Sequence, residues 1–134
     1  MERRFEEKTV RKALQRGYVD AQRLLASPSQ TQKFLLRLEE KEEVVRTVGE
    51  PLAAVPVLER LLRRYLDGEY TAISAAAMAQ VVSALLYFVS PWDLYPDSVP
   101  GKGYADDAAV LDCCWKLCQP ELEAYLAWER EQLV

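Results

Sequence analysis

Apolar and polar positions recur with helical spacing along nearly the whole chain, and strand-like alternation is almost missing. A leading helix is predicted from about Glu2 to Ala26, with Val10, Leu14, Tyr18, Ala21 and Leu25 on one face. The stretch "SPSQ" then restarts the pattern: Ser27 suits an N-cap and Pro28 the first helical position. The helix that follows carries Phe34, Leu35, Leu38, Val45 and Val48 inward and shows "EEKEE" to solvent. Gly49 is a stop signal, and Pro51 and Pro56 punctuate the entry to a third helix with Leu58, Leu61, Leu62 and Tyr65 facing in and Arg60, Arg63 and Arg64 facing out. Asp67-Gly68 closes it. A fourth helix is predicted over about 71–89, a fifth from about Tyr104 to Cys118, and a sixth from Pro120. On the fifth, Asp112, Lys116 and Gln119 line up as a polar stripe. The expectation is an all-α fold: a compact bundle of about six helices around the fourth, followed by a corner rich in Pro and Asp. With 134 residues, the chain is read as a single helical domain.

The fourth helix changes the picture most, because residues 70 to 92 carry no charge at all. That span is long enough to cross a bilayer. Its Ala content, with Ser74, Gln80 and Ser83 inside, argues instead for a central helix that its neighbours approach closely on every side.

Charge is unevenly spread over a net −4: residues 1–27 hold seven Lys/Arg against four Asp/Glu, whereas residues 91–134 hold three against nine. An acidic domain with no aromatic-plus-basic cluster excludes specific nucleic-acid binding. The basic, amphipathic first helix suits an anionic membrane surface. The opening "MERRFEEKTVRK" has no apolar segment after its charges, so it does not read as a secretory signal, and a protein that is cytoplasmic or peripheral to the membrane is expected, with insertion of the fourth helix as the alternative. Cys113, Cys114 and Cys118 are odd in number and crowded on one helix, which rules out a disulfide framework and favours buried small side chains. With no histidine in the chain, imidazole bases, Ser-His and Cys-His pairs and His-containing zinc sites are excluded together.

The corner "SPWDLYPDSVPGKGYADD" holds the candidate chemistry. Pro91 ends the uncharged helix, and Ser90, Pro91 and Asp93 fit a new helical start. Pro96, Pro100, Gly101 and Gly103 then set the backbone, and Asp106 and Asp107 fall in the first turn of the fifth helix, where free N–H groups and the macrodipole favour negative charge.

On these residues the segment "ALLYFVSPWDLYPDSVPGKGYADDAAVL" resembles the YkvA-like family, a bacterial domain of unknown function. The resemblance covers about 71–118, leaves an N-terminal helical extension of about 1–50 outside it, and puts Tyr87, Pro91, Asp93, Pro96, Asp97, Pro100, Gly103, Asp106 and Asp107 on the family's motif positions. Tyr95 and Ser98 depart from it, each more polar than the usual residue. Because the family has no assigned activity, the resemblance implies a fold rather than a reaction.

Two functional readings stay open. In one, the aspartates are caps and turns of a rigid corner, and the chain is a non-enzymatic interaction domain whose partner is another protein, a second copy or an anionic membrane surface. In the other, Asp93, Asp97, Asp106 and Asp107 hold a divalent cation, Mg²⁺, Mn²⁺ or Ca²⁺, as hard oxygen ligands of an enzyme such as a phosphoesterase. Tyr87 and Trp115 are expected in the core. Arg60, Arg63 and Arg64 are expected at a solvent face or paired with the acidic corner.

Overall fold

The structure, a computed structural model, describes residues 7–89 and 104–132. The described residues form seven α-helices and one short 3₁₀ turn, with no strand among them: α1 (Glu7–Leu25), α2 (Pro28–Glu40), α3 (Glu42–Val48), the 3₁₀ turn (Glu50–Leu52), α4 (Ala54–Leu66), α5 (Ala75–Val89), α6 (Ala105–Leu117) and α7 (Gln119–Gln132). The fold is an all-α bundle.

Local chemistry sets the helix boundaries. Ser27 caps α2 by accepting from the Gln30 N–H, with Pro28 at the first helical position. At the end of α4, Gly68 (φ 77°) donates to the Tyr65 carbonyl and Glu69 to the Arg64 carbonyl. That is the Schellman arrangement, which needs a left-handed residue where only glycine sits without strain. Ser74 caps α5: its Oγ accepts from the Ala77 N–H at 3.1 Å, while its own N–H and Oγ both donate to Glu121 of α7. α7 thereby helps to close the start of α5.

The helix expected from Pro28 through Val48 is two helices. The chain breaks at Lys41 (φ −94°, ψ 1°), so α3 turns away and the 3₁₀ segment buries Leu52 completely. The "EEKEE" run contains no glycine or proline to mark this break, because the turn is imposed by packing.

α5 is the centre. Ala77, Met78, Ala79, Val81, Val82, Ser83, Ala84, Leu85, Tyr87 and Phe88 are all buried on it, and it packs chiefly against α1, then α6 and α4. Its small residues bring the neighbouring backbones close enough for Ser83 Oγ to donate to the Leu14 carbonyl of α1, which satisfies a hydroxyl that burial would otherwise penalise. Among the described residues no helix is long and apolar enough to cross a membrane. The charge-free run therefore marks a core helix, stabilised by about 1.5–3 kcal/mol for each large apolar side chain it buries.

Candidate functional site

Tyr87 lies near the end of α5, and Asp106 and Asp107 occupy the first turn of α6. All three are buried: Asp106 is 2% and Asp107 3% exposed. The Tyr87 hydroxyl donates to Asp106 Oδ2 at 2.8 Å. Two adjacent carboxylates are thus held inside the protein at a helix start, where the free N–H groups and the positive end of the helix dipole lower the cost of burying charge. The N-cap of α6 is Tyr104, which makes no side-chain cap bond. Asp106 therefore works as the acceptor for an inter-helix hydrogen bond as well as a first-turn acid.

Of the expected site residues, Asp93 and Asp97 lie outside the described residues, as do the motif positions Pro91, Pro96, Pro100 and Gly103. The structure brings Tyr87, Asp106 and Asp107 together. Among the described residues no group of three or more Asp, Glu or Cys side chains is arranged to hold a metal ion.

The arginines of α4 keep the expected partly exposed position and are also paired with acids of α2, α4 and α7. Arg60 makes a two-pronged ion pair with Glu129 of α7, Nε at 2.7 Å and Nη2 at 2.9 Å. Tyr125 donates its hydroxyl to the same carboxylate at 2.8 Å, and the Arg64 guanidinium lies over the Trp128 ring, 5.2 Å from its centroid. Arg63 bridges Glu39 of α2 and Glu59 of its own helix. The partners are residues of neighbouring helices, because α2 and α7 flank this edge of α4. The Arg60 hydrogen bonds hold the Glu129 carboxyl below the usual carboxylate range against the opposing effect of burial, and burial pushes the Tyr125 hydroxyl up to about 12. Sequence reading missed this cluster; the Tyr125/Glu129 spacing of four on one helix face was the available signal.

All three cysteines are free and buried, and Cys114 and Cys118 sit against α5. Asp112 and Lys116 pair across one turn at 3.1 Å, as their spacing predicts.

α1 places its apolar positions Val10, Ala13, Leu14 and Ala21 in the core, so the opposite face looks outward. That face carries Lys8, Lys12, Arg16 and Arg23, with Gln15, Gln22 and the half-exposed Val19 between them. Helical geometry of about 100° per residue puts these within one sector, with Glu7 and Asp20 at its borders. Arg11, near one border, is paired with Glu7 at 3.1 Å.

Residues 77–111, from the middle of α5 into α6, match the family described as protein of unknown function (DUF1232). The chain is also similar to "Uncharacterized membrane protein YkvA" of Bacillus subtilis (strain 168), with 38% identity over 69 residues. The YkvA alignment takes in 52% of this chain and 65% of that relative's length. No solved structure matches. The matched segment 77–111 contains Tyr87, Asp106 and Asp107, so the Tyr87–Asp106 contact lies within the part of the chain similar to that family.

Proposed function

We propose that this chain is a non-enzymatic helical domain that works at an anionic membrane surface, docking through the outward face of α1. The observation that carries this reading is the sector Lys8, Lys12, Arg16 and Arg23, which is exposed, contains no acid, and is held on a helix whose opposite side is locked into the core. A basic side chain near an anionic bilayer contributes about 1 kcal/mol. Four of them make a weak, reversible and salt-sensitive attachment. Because the apolar face of α1 is already buried, the mode is electrostatic adhesion rather than insertion. The name of the Bacillus subtilis relative, a membrane protein, supports the same location. The net charge of −4 opposes indiscriminate adhesion, so binding depends on presenting this one face.

Co-sedimentation with vesicles tests the reading. Partition onto vesicles containing phosphatidylserine, with none onto pure phosphatidylcholine, is expected at low salt; equal partition onto both, or none onto either, overturns it.

A second reading is kept for one observation, the burial of two neighbouring carboxylates in the first turn of α6. With Asp93 and Asp97 as further ligands, Asp106 and Asp107 would hold Mg²⁺, Mn²⁺ or Ca²⁺ in a phosphoesterase-like enzyme. Calorimetry with each cation decides it: millimolar metal that produces neither heat nor a melting shift removes this reading.

A further inference from the structure

Cys114 and Cys118 lie one turn apart at the end of α6, and their sulfurs face backbone carbonyls about one turn apart on α5: Cys114 Sγ is 3.6 Å from the Gln80 carbonyl oxygen and Cys118 Sγ 3.9 Å from that of Ala77. Cys118 is the last residue before α7, and its carbonyl accepts from the Leu122 N–H, so its side chain stands at the N-terminus of α7. It also lines an open pocket of about 380 Å³ with Ser74, Gln80, Leu117 and Glu121. The Gln80 Oε1 atom is buried there without a hydrogen-bond partner.

We propose that Cys114 and Cys118 form a two-thiolate clasp for a soft monovalent cation of the Cu(I) class. Thiolates select such ions over the hard cations that carboxylates prefer. The spacing favours a bridged cation over a disulfide. Side chains four apart on a helix keep their Cβ atoms about 5–6 Å apart, whereas a disulfide needs about 3.5–4.5 Å. Two metal–sulfur bonds of about 2.3 Å each fill that gap.

Cys118, at the pocket wall, is the sulfur that meets the ion first. Loading replaces both thiol protons, so two protons leave for each cation bound and the closed site carries one net negative charge. Cys113 is the internal control: its thiol interacts with Arg11 in a different pocket, between α1 and α6.

The test is a titration of the full reduced chain with Cu(I) under argon, in competition with a coloured Cu(I) chelator. The wild type and Cys113→Ser are expected to withdraw one equivalent, and Cys114→Ser and Cys118→Ser to lose at least tenfold in affinity. No withdrawal by the wild type, or an equal loss in Cys113→Ser, overturns the proposal. Because serine at a buried position can unfold the chain, the wild type is also alkylated with maleimide with and without Cu(I) and its peptides are weighed. Protection of Cys114 and Cys118 but not Cys113 is expected; identical labelling of all three with and without the ion contradicts the clasp.

Discussion

The Tyr87 hydroxyl reaches across the α5–α6 interface to Asp106 Oδ2 at 2.8 Å, and neither residue is accessible to solvent. This bond joins the end of the central helix to the start of the next described one. Tyr87→Phe removes the donor and leaves the carboxylate oxygen buried, so a loss of about 1–3 kcal/mol in urea unfolding is expected. Asp106→Asn keeps an oxygen acceptor and costs less than Asp106→Ala. If a cation were the main partner of Asp106, Asn and Ala would be equally damaging with metal present, and a chelator would erase the difference from wild type.

Glu129 is expected to make stability acid-sensitive. Its folded pKa lies below the ordinary value, first because Arg60 hydrogen-bonds the charged form. A depressed carboxyl contributes stability that is present above its unfolded pKa of about 4.3 and lost as pH falls through the folded value. Thermal melts of wild type and Glu129→Gln should therefore converge at low pH and separate above about pH 4. Parallel curves throughout would show that the ion pair adds nothing. At neutral pH, Glu129→Ala should cost about 2 kcal/mol, below the figure for a fully buried pair because Arg60 is partly exposed.

Tyr125 gives the opposite limb. Its hydroxyl is raised to about 12, chiefly by burial, so its contribution is intact below about pH 10 and is lost as pH rises from there through the folded value. Tyr125→Phe should flatten the part of the alkaline decline that belongs to this group, read by circular dichroism across that range.

Ser74 and Glu121 predict a cap whose loss is felt between helices. Ser74→Ala removes the acceptor for the Ala77 N–H and should cost about 1 kcal/mol. Glu121→Ala leaves Ser74 in place yet removes the acceptor for its N–H and hydroxyl. A double-mutant cycle should show coupling between the two; strict additivity would show that they act separately.

How much of this was legible in the sequence depended on range. Ser27-Pro28 and Asp67-Gly68 marked their boundaries because cap and turn chemistry is local, and the charge-free run revealed the buried helix because no charged side chain could be placed there. The break at Lys41 left no local mark. The start of α5 is at Ala75 rather than near Thr71, since its cap, Ser74, is completed by Glu121 from α7, 47 positions away. Arg60 and Glu129 are 69 positions apart, and nothing in spacing alone pairs them. In the acidic corner, burial of Asp106 and Asp107 was hidden for the same reason: aspartate in a first turn reads equally well as exposed, and only the packing of α6 against α5 decides.

Attachment through α1 is tested most directly by partition onto vesicles rich in phosphatidylserine, measured against salt for the wild type and for Lys12→Glu/Arg16→Glu. Both positions are exposed, so the reversal leaves the core intact and circular dichroism should not change. The wild type is expected to bind at about 50 mM NaCl and to release progressively by about 300 mM, as the screening length shrinks below the reach of the basic face. The reversed variant is expected to bind at least tenfold more weakly, in line with about 1 kcal/mol for each cation removed. Equal binding by the two proteins, or wild-type binding that does not respond to salt, would contradict docking through this face.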